Sequence, residues 1–226
     1  MQIRGSRVPV LGLALVAGLM APGIAVAVDQ TQIDDFEDGT TMGWSEGPGS
    51  PNPPVNIASG GPGGIGDNYL QNVSDGGFGA GSRLVMFNNA QWTGDYTVLG
   101  PVPELYLHMA NLGATALSMR IAVESATAGG TQWASTTAAV LPPDGNWYAV
   151  VFRLSESDMT RVGGTQPLAA VLASVSELRI LSSTAPSWRG DALVATFGAD
   201  NITASEAIFA DSFESANTSA WSDVVQ

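Results

Sequence analysis

From residue 104 onward the apolar positions of this chain alternate with polar ones. Leu105, Leu107 and Met109 share one parity, and Glu104, Tyr106 and His108 share the other. Leu117, Met119, Ile121 and Val123 alternate with Ser118, Arg120, Ala122 and Glu124. Tyr148, Val150, Phe152 and Leu154 alternate with Trp147, Ala149, Val151 and Arg153. A period of two sends successive side chains to opposite faces, so each segment predicts a strand with one face buried. Further strands are expected near 33–37, 54–58, 68–73, 83–88, 131–140, 175–182 and 192–203. Turn-forming clusters separate them, among them Asn111-Leu112-Gly113, Ala128-Gly129-Gly130, Pro142-Pro143-Asp144-Gly145 and Arg189-Gly190-Asp191. Short strands punctuated in this way indicate an all-β, antiparallel sandwich. One short helix is expected from Ser155 to Arg161, with Ser155 as its cap and Asp158 three residues on.

The start of the chain follows a different pattern. Arg4 and Arg7 precede an apolar run from Val8 to Met20, and Ala25-Val26-Ala27 follows Pro22-Gly23. A basic start, a short apolar stretch and a small-x-small site are the parts of a secretory signal. The expected organisation is a signal peptide over 1–27, a sandwich domain over 28–204 and a C-terminal tail over 205–226. Residues 47–66, rich in Gly, Pro and Ser, read as a long loop. The tail echoes the domain's opening: Asp34-Asp35-Phe36-Glu37 with Thr41, Trp44 and Ser45 recurs as Asp211-Ser212-Phe213-Glu214 with Thr218, Trp221 and Ser222.

Charge narrows the function. The formal net charge is −13, with 21 acidic residues, eight arginines and no lysine. Such a field repels nucleic acid and anionic membranes and attracts cations. With the leader removed, no membrane insertion is expected, and the protein is expected outside the cytoplasm, in the periplasm or beyond. There is no cysteine, so stability must come from the size of the core or from a metal. Catalytic chemistry is poorly supplied. His108 is the one histidine, and no nucleophile-elbow or zinc-helix motif occurs. Gly61-Pro62-Gly63-Gly64-Ile65-Gly66 has dinucleotide-loop spacing, but a Pro-rich loop precedes it and a strand-like segment follows, which excludes a phosphate site at a helix start. A pair of carboxylates converging in space, as glycoside hydrolysis needs, leaves no trace in sequence.

Two groups of residues remain as candidate chemistry. Asp35 and Glu37 lie two apart and point the same way on a strand, and Asp200 sits in the last strand-like segment. If first and last strands are neighbours, the three gather hard oxygen ligands of the kind calcium takes; otherwise they are a solvated acidic edge. By parity Tyr106, His108, Arg120, Glu124, Trp147 and Arg153 lie opposite the core face of their strands, and Glu177 and Arg179 repeat the pattern. Aromatics and arginines on one sheet face suit stacking against sugar rings and hydrogen bonding to hydroxyls. Salt-bridged pairs on an ordinary solvated face look the same. Trp92 and Tyr96, in a Gly-containing loop, are candidates for the rim of such a face.

Asp34-Asp35-Phe36-Glu37-Asp38-Gly39 with Gly43-Trp44, and Asp200-Asn201-Ile202 near the other end, resemble the opening and closing strands of jelly-roll carbohydrate-binding modules of families four and nine. The resemblance, confined to the two chain ends, implies an antiparallel jelly-roll β-sandwich and a structural calcium at Asp35, Glu37 and Asp200. A polysaccharide or cell-surface glycan is the expected partner, and its expected contacts come from the outward parity of Tyr106, His108, Arg120, Trp147 and Arg153, with Trp92 at the rim. Segments such as Gln91-Trp92-Thr93-Gly94-Asp95-Tyr96 and Ala195-Thr196-Phe197-Gly198-Ala199-Asp200 also resemble a group of secreted bacterial proteins with no assigned activity. A non-catalytic binding module is the first expectation, a structural or adhesive surface protein without a small ligand the second, and a polysaccharide hydrolase the third.

Overall fold

The computed structural model describes residues 28–206 apart from 31 and 80. The expected signal segment and the repeated C-terminal element lie outside the described residues. The strands are β1 (Ile33–Asp34), β2 (Val55–Ile57), β3 (Tyr69–Asp75), β4 (Val85–Asn88), β5 (Pro103–Asn111) and β6 (Leu117–Ser125). They continue with β7 (Thr131–Ser135), β8 (Ala139–Leu141), β9 (Trp147–Arg153), β10 (Met159–Gly163), β11 (Glu177–Ser182) and β12 (Val194–Glu206). They form two antiparallel sheets. One runs β2-β3-β12-β5-β9, with β1 also on β12; the other runs β10-β7-β6-β11-β4, with β8 also on β6.

The alternating segments become the core as their parity requires. Leu105, Leu107 and Met109 of β5 face Leu117, Met119, Ile121 and Val123 of β6 in one cluster, joined by Leu178 and Ile180 of β11 and Phe197 and Ala199 of β12. Each such large side chain removed from water contributes about 1.5–3 kcal/mol. Strand β12 changes parity midway. Phe197 and Ala199 point inward, then Ile202 and Ala204 do. The register against β5 slips between Asp200 and Thr203, and Asn201 adopts a φ of 51°. This is a bulge, which asparagine tolerates in the left-handed region and which flips the facing of everything after it. The first and last strands are neighbours: Ile33 pairs with Thr203 and Asp34 with Ile202.

Three expected elements differ. The strand expected over 33–37 ends at Asp34: Phe36 leaves the extended region with a φ of 57°, so Asp35 and Glu37 do not share a strand face. The segment 155–161 is one turn followed by a strand. Ser155 O accepts from the N–H groups of Asp158 and Met159, both at 3.0 Å, so the capping residues do make a turn. Met159 is then buried and pairs with Ser135 across the edge of β7. Closing that ladder and burying Met159 outweighs a solvent-facing helix containing β-branched Thr160 and Val162. The described helix, α1 (Leu168–Leu172), is one the pattern did not suggest. The single strand expected over 131–140 is two, and both pair with β6: β7 opposite 122–125 and β8 opposite 117–119. Residues 136–138 bow out between them, opposite Arg120 and Ile121 of β6.

Candidate functional site

The outer face of the sheet β2-β3-β12-β5-β9 carries most of the predicted ligand residues. Tyr106 and His108 alternate outward along β5, and Trp147 and Arg153 do so along β9. Tyr106 Oη lies 3.0 Å from His108 Nε2, and the two rings meet edge to face at 5.2 Å. His108 Nδ1 is buried without a partner. Trp147 packs edge to face against Tyr69 at 5.3 Å and donates its Nε1–H to Gly60 O at 2.9 Å. Its ring lies over Gly198, where a β-carbon would come within 2.8 Å of it; only glycine on β12 lets the indole lie this close to the sheet. Arg153 pairs with Glu104 at 2.8 Å. Glu104, Tyr106, Val151, Arg153, Thr203 and Ser205 line a shallow groove of about 410 Å³ along this face. An aromatic edge, an arginine–glutamate pair and hydroxyls around an open groove are the donor and acceptor set that sugar hydroxyls use.

Arg120 and Trp92 do not belong to this face, and this corrects the sequence expectation. Arg120 lies on the other sheet and is 4% exposed. Its guanidinium donates to Ser135 O, Thr136 O, Ser183 O and Thr184 O at 2.6–3.3 Å. It satisfies carbonyls freed where 136–138 bow away from β6, and ties them to the segment after β11. Parity placed it on the outer side correctly. That side is covered, because Trp188 and Val162 close over Ala122, Ala134 and Leu181 in a second apolar cluster. Trp92 and Tyr96 are fully buried. Trp92 Nε1–H donates to Asp34 Oδ2 at 2.7 Å, as does Trp44 Nε1–H, and Tyr96 Oη donates to Trp92 O at 3.1 Å. They anchor the opening strand instead of forming a rim. Glu177 and Arg179 are an ion pair whose guanidinium stacks on Trp188 at 3.9 Å, a structural use of the same residue types.

The acids predicted at the chain ends lie in one neighbourhood beside the bulge. Asp200 is fully buried, with its carboxylate accepting from Asn201 N–H and Nδ2–H, both at 2.7 Å. Burial pushes its carboxyl up to about 7, and the charges of Asp67, Asp35 and Glu37 push in the same direction against the Asn201 hydrogen bond. Phe36, with a φ of 57°, drops its ring into the core and turns the chain so that the acids on either side stay at the surface. Glu37 Oε1 accepts Asn68 N–H at 2.8 Å, and Asn68 and Asn56 both donate to Phe36 O. Asp67 is the member sequence reasoning missed. It sits in the glycine loop before β3, and no spacing relates it to positions 35 or 200. Among the described residues no three acidic or histidine side chains converge on a single point.

No family model matches the sequence, and no curated protein is similar to it. Solved structures do resemble it. An exo-beta-agarase matches at a TM-score of 0.55 and 12% identity over 76% of this chain, and the chain spans only 24% of that enzyme. The family 11 carbohydrate-binding module CtCBM11 matches at a TM-score of 0.51 and 16% identity, over 82% of this chain and 99% of the module. A family 22 xylan-binding domain from Paenibacillus barcinonensis Xyn10C matches at 0.47 and 16%, over 80% of this chain and 98% of the domain. The module matched at 0.51 is of family 11, whereas the chain ends had suggested four and nine. The two antiparallel sheets and their counterparts make the fold a jelly-roll β-sandwich of the kind found in carbohydrate-binding modules.

Proposed function

We propose that this domain is an exported, non-catalytic carbohydrate-binding module that holds a polysaccharide or cell-surface glycan along the outer face of the sheet β2-β3-β12-β5-β9. The observation that carries the reading is the convergence of Tyr106, Arg153, Glu104 and two β12 hydroxyl residues on one open groove, in a jelly roll matched over nearly the full length of such a module. Trp147 continues the same face. Ring stacking and hydroxyl hydrogen bonds exchange water for protein at small net gain, so the expected affinity is modest. Titrating a panel of soluble polysaccharides while following tryptophan fluorescence tests it. At least one should bind, and Tyr106→Ala or Arg153→Ala should weaken it roughly tenfold, about 1.4 kcal/mol. If none binds, or both variants bind like the parent, the structural or adhesive reading replaces this one.

A calcium ion beside Asp200 is part of the same proposal. What supports it is a fully buried carboxylate surrounded by further negative charge, a combination that a hard cation relieves. Asp35, Glu37 and Asp67 are the other residues that would serve it. A cation that binds only the folded chain raises its stability by mass action. Chelator should therefore lower the Tm, calcium should restore it, and Asp200→Asn should remove this site's part of the response; an Asp200→Asn melt that responds to calcium as fully as the parent's rejects the ion here. Export rests on the leader-like first 27 residues, and the exported protein should begin at Val28 by N-terminal sequencing.

A further inference from the structure

The outer groove crosses the strands instead of following one. Its lining falls into two rows: Thr203, Tyr106 and Val151, and Ser205, Glu104 and Arg153. Within each row the residues are cross-strand partners on β12, β5 and β9. Neighbouring strands lie about 4.8 Å apart, so the rows span roughly 10 Å and end at β9. Among the described residues β9 pairs with β5 alone, and it is the edge of its sheet.

A second cavity begins at that edge. It measures about 440 Å³ and shares Glu104, Val151 and Arg153 with the groove. Its other walls include Phe152 on the inward side of β9, and Ser135, Thr137, Ala138 and Asp158 from across the sandwich. Phe152 and Ser135 are both buried and form its floor, which makes it a blind pocket between the sheets. Thr136 steadies the far wall: its N–H donates to Asp158 O at 2.7 Å, and its hydroxyl lies 2.8 Å from that of Thr160.

Polar groups with spare capacity gather at the lip that the two cavities share. Arg153 Nε donates to Glu104 Oε1. Both Nη groups of Arg153 and Glu104 Oε2 make no hydrogen bond among the described residues. The strand edge adds main-chain groups. Leu154 N–H donates to Pro103 O, so the next pair of the alternating ladder, Arg153 with Glu104, is the one without main-chain bonds. The N–H and C=O of Arg153 and of Val151 therefore point away from β5, toward the pocket they line. Asp158 gives Oδ2 to Ser155 and keeps Oδ1 for another donor. Two carboxylates against one arginine suit hydroxyl groups over anions.

We infer that this pocket is a subsite for one terminal, uncharged sugar unit of the glycan that lies in the outer groove. A blind pocket cannot pass a continuing chain, so the unit it takes has a single linkage. It is the end of the main chain or a single-sugar side branch. The inference rests on the groove being a glycan site and names the kind of glycan that the groove holds best.

Galactomannan, arabinoxylan and xyloglucan test it. Each is titrated by calorimetry as the intact branched polymer, after enzymatic trimming of its side branches, and as a short oligosaccharide cut from its backbone. Ala138→Phe and Thr137→Trp fill the pocket from its far wall and lie outside the groove. Shutting out the terminal unit should weaken binding roughly tenfold, the worth of one or two hydrogen bonds. If side branches fill the pocket, trimming weakens the parent by that factor, and the filled variants weaken binding of the branched polymer alone. If chain ends fill it, trimming changes nothing, and the filled variants weaken the short oligosaccharide and spare the long polymer. Tyr106→Ala should weaken every form. Should Ala138→Phe fail to fold, Thr137→Trp decides. Filled variants that bind every form like the parent overturn the subsite and leave the groove in place, and so does an equal loss on every form. Absence of binding by all three glycans also overturns the subsite; the groove falls with it only if the wider polysaccharide panel fails too.

Discussion

Asp34→Asn separates the two effects that act on the most enclosed carboxyl in the opening strand. Asp34 is 1% exposed. Two indole N–H groups donate to its Oδ2 and the Gln91 amide to its Oδ1. Those bonds favour the charged form and burial opposes it; burial prevails and lifts the carboxyl from its ordinary 3.8 to about 6. That difference corresponds to about 3 kcal/mol by which folding disfavours the ionised group. Below pH 3.8 the acid is protonated in both states and its contribution is complete. Between 3.8 and 6 the unfolded chain releases the proton while the native chain keeps it, so stability falls as pH rises, and the loss is complete above 6. Asparagine carries no such dependence. Its Oδ1 can accept both indoles from the place of Oδ2, and the Gln91 amide can turn to accept from its Nδ2. Relative to the parent, Asp34→Asn should therefore gain about 3 kcal/mol between pH 4 and pH 8, or roughly 6–12 °C in Tm. Denaturant melts at unit pH steps, followed by far-ultraviolet circular dichroism, measure it. The titrations of Glu46 and Asp200 are common to both proteins and cancel in the difference. A difference that does not change with pH, or a loss that deepens toward pH 8, would refute the argument and show Asp34 to be a charged, bonded anchor.

Arg120→Met should destabilise by about 3 kcal/mol, because four carbonyls, those of buried Ser135 and Ser183 among them, lose a charged donor, while a glycan titration with the folded variant should match the parent; unchanged urea melts would count against the staple. Gly198→Ala should lift the Trp147 ring off β12 and break its hydrogen bond to Gly60. A red-shifted tryptophan emission and weaker glycan binding are expected, and an unaltered spectrum would mean the indole does not rest on this glycine.

What the chain determined by itself is the part governed by local periodicity. In β5, β6 and β9 alternation gave the strand, its inward face and the side on which Tyr106, His108, Arg120, Trp147 and Arg153 leave the backbone, because a two-residue repeat is a property of consecutive residues. The rest depended on partners distant in sequence. Parity put Arg120 outside its sheet, but only the chain crossing that side made it a buried staple, while Arg153 of the same type stayed on an open groove. Ser155 and Asp158 made their turn, and the free edge of β7 then drew Met159–Gly163 into a strand. Asn201 reset the parity of β12 and Asp67 joined Asp200 from a glycine loop, neither marked by spacing. Trp92, readable as an exposed aromatic, was claimed by Asp34, since a buried carboxyl and a buried indole each need the other's hydrogen bond. Local sequence sets which way a side chain points; what covers it, charges it or bonds it is settled only when remote segments pack against it.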